Sequence, residues 1–185
     1  MNKKLLFPCL AALLIGATAV TAADALVLNG SGIRTKLIIG TMYELSLYVP
    51  AALKGAEGQA ILESDQTMAL VLNIKSSLIT RARFVEATSE GFAKAAAAGY
   101  ASEKTQLFLD QFANTEFSKG DTVVMHYGPN GLSTRYLEPA TGESEATVVN
   151  LGTIPDLGLK KALFAIWLGS SPVQPSLKKS LLGSP

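Results

Sequence analysis

The sequence predicts an α+β domain, an antiparallel sheet covered by helices. Three observations carry this. Short apolar runs of strand length recur early and late in the chain, and turn residues separate most of them. The apolar period switches to that of a helix in two places only, over residues 84–112 and 157–182. The composition of the 185 residues, 48% hydrophobic and 17% charged with a single cysteine, excludes disorder, collagen and a disulfide scaffold.

Residues 1–22 read as a secretory leader. Lys3 and Lys4 form the positive start, residues 5–20 the apolar stretch, and Val20-Thr21-Ala22 the cleavage pattern. The stretch is short for a bilayer span of about 20 apolar residues. Cys9 precedes most of it, a poor place for lipidation, and leaves with it. The expectation is one domain over residues 23–185, periplasmic or secreted, with no cysteine and no integral membrane span. Losing Lys3 and Lys4 takes the net charge from +1 to −1. A chain without thiols has no thiolate metal site and no Cys nucleophile. The balance of 16 basic against 15 acidic side chains leaves no basic stripe for phosphates, which argues against nucleic acid.

The elements follow in order. Residues 25–28 read as a strand leading into a turn at Asn29-Gly30-Ser31-Gly32, a better reading of that segment than its match to a glycosylation sequon. Residues 33–39 and 42–49 are strands on either side of Gly40. In the second, Tyr43, Leu45, Leu47 and Val49 share one face while Glu44, Ser46 and Tyr48 share the other. Residues 68–74 form a further apolar strand. Phe84, Ala87, Thr88, Gly91, Phe92 and Ala95 then mark the apolar stripe of an amphipathic helix. A second helix is expected over residues 102–112, with Ser102 as its N-cap. Strands over 122–127 and 132–137 flank Gly128-Pro129-Asn130-Gly131, a hairpin signal. A strand over 145–151 follows. Asp156 caps a helix with the stripe Leu159, Ala162, Leu163, Ile166 and Trp167, which Gly169 stops, and residues 175–182 form a last short helix. The count is about seven strands.

The sequence lacks a phosphate-cradling glycine loop, a Gly-x-Ser-x-Gly elbow and metal-ligand spacing, so it calls for neither a metal nor a cofactor. Its one histidine, His126, is read as a hydrogen-bonded strand residue rather than a catalytic base. Trp167 ends an apolar stripe and is read first as core. Lys160-Lys161 and Lys178-Lys179 are read as solvated faces. Arg34 is more informative. It lies on a strand beside Ile33, on the face shared with Lys36 and Ile38, where a guanidinium can hold an oxyanion at the edge of an apolar cleft. Tyr43 and Tyr48 point to opposite faces of the next strand, so at most one of them joins Arg34.

Several segments together resemble the bacterial chalcone isomerase-like family. They are Leu28-Asn29-Gly30-Ser31-Gly32-Ile33-Arg34-Thr35-Lys36, the strand ending Leu47-Tyr48-Val49-Pro50, the helix starting Phe84-Val85-Glu86-Ala87, Lys119-Gly120-Asp121, and the tail from Ala162 through Trp167-Leu168-Gly169 to Leu182-Gly183. The resemblance implies that family's open-faced β-sandwich, a large antiparallel sheet under a helical layer with a ligand cleft between them. It also implies that Arg34 matches the arginine that stabilises an oxyanion when plant members cyclise a chalcone. The hydroxyl-bearing positions of those enzymes fall at Ile166 and near Phe84, which removes donors to the substrate. Losing one donor of such a clamp costs on the order of a hundredfold or more in rate. Other members of the superfamily bind fatty acids without catalysis. The function expected on this basis is non-catalytic binding of a small apolar carboxylate, with Arg34, Tyr43 or Tyr48, Phe84, Ile166 and Trp167 lining the site. The alternative is a weak isomerase of chalcone-like phenolic enones in which Arg34 acts. An interaction with other envelope proteins is the third reading.

Overall fold

The computed structural model describes residues 25–142 and 144–183; the leader expected over residues 1–22, with its cleavage junction, lies outside them. Six strands form one antiparallel sheet in sequential order among the described residues: β1 (Leu26–Lys36), β2 (Gly40–Pro50), β3 (Met68–Ile74), β4 (Thr122–Gly128), β5 (Gly131–Glu138) and β6 (Thr147–Ile154). Five helices cover one face: α1 (Gly58–Glu63), α2 (Arg81–Ala97), α3 (Thr105–Asp110), α4 (Leu157–Leu168) and α5 (Pro175–Leu181). Strand alternation supplies the buried inner rows, with Leu45, Leu72 and Val123 in one and Leu47, Leu70 and Met125 in the next. Helix α4 is apolar on nearly all sides and is correspondingly buried between the sheet, α1 and α2. The opposite sheet face carries Glu44, Ser46, Tyr48, Asn73 and His126.

The count is six strands rather than seven because residues 26–36 are a single strand. Asn29-Gly30-Ser31-Gly32 is not a turn. Asn29 is an extra residue in β1, a bulge between the pairs Leu28–Tyr48 and Gly30–Leu47. Its buried side chain accepts from Gly55 N (2.8 Å) and donates to Leu181 O (2.7 Å), tying three segments together. The bulge brings Gly30, Gly32 and Arg34 to the inner face. There the glycines serve close approach: a Cβ on Gly30 would stand 2.1 Å from Ser180 O, and one on Gly32 2.7 Å from Ser180 Cβ. Helix α5 therefore lies directly on the β1 backbone.

Three further expectations change. Lys160 is not on a solvated face. It is wholly buried, and its ammonium donates to Ile61 O, Leu62 O and Ser64 O at 2.8, 2.9 and 2.7 Å. These carbonyls belong to the C-terminal end of α1, a short helix absent from the sequence reading, and lack intrahelical partners. Lys178 likewise reaches back to Gly169 O (2.8 Å). Ser102 does not cap α3, which starts later; it receives Lys104 N (3.1 Å) and lies 3.5 Å from the Asp156 carboxylate. The caps expected from Asp156 and the stop at Gly169 are present, and Thr80 caps α2.

Two inner-face phenols hold the sheet to its loops. Tyr127 donates to the Asp65 carboxylate, and Tyr136 to that of Asp121. Burial first, and the neighbouring carboxylate second, push the Tyr127 pKa up to about 12 and that of Tyr136 upward as well. The folded chain thus keeps both protons where the unfolded chain has lost them. Their contribution to stability is complete below the ordinary phenol value of about 10 and falls as pH rises from there to about 12. Thermal unfolding followed by circular dichroism should show this alkaline fall, and Tyr127→Phe should make it shallower. An unchanged slope would remove Tyr127 as its source.

Candidate functional site

A cleft of about 670 Å³ opens between the inner face of β1–β3 and helices α2 and α4. This lies within the size range of small-molecule pockets, roughly 300–1,000 Å³. The sheet contributes Arg34, Lys36, Met42, Tyr43 and Leu72; α2 contributes Phe84, Ala87, Thr88 and Gly91; α4 contributes Ile166 and Trp167. Leu78, Ile79 and Val173 close it with further apolar surface, and Arg83, Glu86, Glu90 and Lys94 stand along the α2 side.

Of the residues expected at a site, the structure brings together Arg34, Tyr43, Phe84, Ile166 and Trp167. Tyr48 is excluded. It pairs with Leu28 and Ala69 on the other sheet face, because five positions separate it from Tyr43 and an odd spacing reverses the face. Tyr43 stands directly across from Arg34 in the β1–β2 ladder. A second bulge, between the pairs Arg34–Tyr43 and Thr35–Thr41, lets both Met42 and Tyr43 line the cleft although they are adjacent in sequence.

The polar end of the cleft is held from behind. Arg34 Nη1 donates to Gln174 Oε1 (2.9 Å) and to Thr35 O (2.8 Å), while Gln174 is itself fixed by Thr35 N (3.1 Å) and donates to Ser176 Oγ (2.7 Å). Gln174 is the residue before α5, so seating α5 on Gly30 and Gly32 places it beside Arg34. Both bonds use Nη1 of the guanidinium fork, whose Nη2 and Nε also carry hydrogens to donate. Trp167 Nε1 donates to Tyr43 Oη at 2.9 Å. Trp167 Nε1 is a donor only, so this bond does not use the phenol's own hydrogen. Burial pushes the Tyr43 pKa up, against the smaller opposing effects of the Trp167 bond and the Arg34 charge, so the phenol is a donor at neutral pH.

The other walls are apolar. Phe84 packs in an aromatic cluster with Phe112 and Phe117, ring centroids 4.8 and 4.7 Å away. Ile166 lies over Gly91, where a Cβ would come within 2.9 Å of its side chain. The Thr88 hydroxyl is turned to its own helix, donating to Phe84 O (2.7 Å). His126 lies on the sheet face away from the cleft; burial foremost and Arg135 second lower its pKa. No cluster of metal-ligating side chains occurs among the described residues, and no described helix is long and apolar enough to cross a membrane.

Sequence reasoning missed Gln174, which is 140 positions from Arg34 and carries no motif; only the seating of α5 joins them. It also missed Met42, turned inward by the bulge, and the basic side chains Arg83 and Lys94. The last two were legible as polar flanks of the α2 stripe, but not as part of the cleft that Arg34 lines.

The family profile described as chalcone isomerase-like matches residues 11–183. Among solved structures, a fatty-acid binding protein of Arabidopsis thaliana is similar with a TM-score of 0.61 at 18% identity, over 86% of this chain and 87% of that one. No curated protein matches the sequence. With most of its length matched, and with the sheet, helical layer and cleft in place, the chain belongs to the chalcone isomerase-like family.

Proposed function

We propose that this protein is an exported, non-catalytic binder of a small apolar carboxylate such as a fatty acid. The observation that carries the reading is the Arg34–Tyr43 pair at the polar end of an otherwise largely apolar cleft, with Gln174 and Trp167 orienting the two donors. A guanidinium fork and a protonated phenol together match the two oxygens of a carboxylate. Phe84, Ile166, Leu72 and Val173 then surround the acyl chain. The similar fold of a plant fatty-acid binding protein supports this use. Phe84 and Ile166 weigh against cyclisation, which needs further hydroxyl donors on a developing enolate. Export rests on the leader pattern of residues 1–22.

Mass spectrometry of small molecules extracted from gently purified protein tests the binding reading. An amphiphilic acid retained by the wild type and lost from Arg34→Ala is the expected result. Empty protein in both, together with turnover of phenolic enones, would overturn it. The same spectra read the mass of the chain, and a mass beginning at Ala23 is expected after export.

A further inference from the structure

The tip of the β1–β2 hairpin is Leu37-Ile38-Ile39, whose residues are 93%, 104% and 50% exposed. Three consecutive exposed aliphatic side chains on a protrusion make a patch that a soluble surface seldom carries without a role. Ile38 adds a second observation. Its φ of +71° lies in the left-handed region, where a β-branched side chain crowds its own backbone and a Gly or Asn would sit without strain. The tip also borders the cleft: Ile39 and Lys36 line it together with Arg34 and Arg83.

We propose that this tip docks the protein on an anionic lipid surface. Leu37, Ile38 and Ile39 enter the boundary between headgroups and acyl chains, and Lys36 meets headgroup phosphates. The cleft mouth then faces the bilayer, and an amphiphile passes between the two without crossing bulk water. The docking stands on the tip alone; the passage rests on the carboxylate-binding reading above.

Area and charge favour lipid over a protein partner. Three aliphatic side chains offer roughly 200–350 Å² of apolar surface. A stable protein interface needs about 800 Å² on each side. Interfacial lipid binding scales with a small buried apolar area plus attraction to anionic headgroups, and long basic side chains at the base of the tip reach that layer. Glu86 and Glu90 also border the cleft but on the α2 wall, whereas the basic Lys36 lies on the tip's own strand.

A tryptophan reporter tests the docking in the full chain, where Trp167 is the only native tryptophan and is buried. With vesicles of phosphatidylcholine and phosphatidylglycerol carrying brominated acyl chains, Ile38→Trp should shift to the blue and be quenched. Val148→Trp, exposed on the strand at the far sheet edge, should do neither. An equal response at both positions, or none at position 38, overturns the proposal. So does a shift that appears without vesicles and grows with protein concentration, which would mark the tip as a contact between copies of the chain. Ile38→Gly relieves the backbone strain and should fold at least as well. It should nevertheless slow transfer of a fluorescent fatty acid from the same vesicles about tenfold, the effect of removing one aliphatic anchor, with affinity for the free acid unchanged. Arg34→Ala should do the converse, losing the acid while an Ile38→Trp reporter in the same chain still responds, so failure of the docking and failure of the carboxylate reading give different results.

Discussion

Arg34→Ala is expected to weaken binding of a fatty acid by about 1.5–3 kcal/mol, roughly ten- to a hundredfold, since that is the worth of a hydrogen bond to a charged group. Folding should change little, because Arg34 is partly exposed and its bonds to Gln174 and Thr35 lie near the surface. Tyr43→Phe is the milder companion. It removes one neutral donor and should cost about 0.5–1.5 kcal/mol, and it leaves Trp167 Nε1 without its acceptor. Titration of a fluorescent fatty acid into each purified variant measures both. Equal affinities in wild type and Arg34→Ala would remove the arginine from the site and leave only apolar burial to hold the ligand.

Lys160→Met should have the largest effect on stability, a loss of about 3–4 kcal/mol. Each of the three carbonyls at the end of α1 that loses its partner in the interior carries a penalty of roughly 1–3 kcal/mol, and partial rehydration offsets some of it. The ammonium also stands 5.5 Å from the centre of the Phe164 ring and 5.8 Å from that of Tyr127, and the substitution removes both of these cation–π attractions. Burial pushes the Lys160 pKa down to about 8. The three carbonyls work in the other direction, since an ammonium has three hydrogens to give and an amine only two. For a domain of this length the change corresponds to a fall in Tm of roughly 6–16 °C. Lys160 does not line the cleft, so ligand affinity at a temperature where the variant is folded should match the wild type. A shift in Tm below about 2 °C would mean that the helix end finds water instead. Side by side, the Arg34 and Lys160 variants separate the site from the scaffold.

The two lysines of the pair Lys160-Lys161 show where sequence reading stops. Adjacent in the chain, they are indistinguishable by pattern. A helix turns about 100° per residue, so one enters the core and the other remains at the surface to pair with Glu63. Asn29-Gly30-Ser31-Gly32 shows the same limit in a strand. Its composition is that of a turn, and the decision against a turn comes from α5, whose backbone needs the space the glycines leave. The tyrosines show the opposite. Period-two alternation alone placed Tyr43 and Tyr48 on different faces, and the structure decided which of those faces is covered.

The local part of this protein is therefore what could be read from its residues in order. Strand alternation, the apolar stripes of α2 and α4, the cap at Asp156 and the hairpin at Gly128–Gly131 are set by interactions between residues a few positions apart, and all are legible as patterns. The tertiary structure alone decided the bulges, the seating of α5, the burial of Lys160 and the support of Arg34 by Gln174. Each depends on a partner distant in sequence, and only close packing under steric exclusion brings that partner into contact.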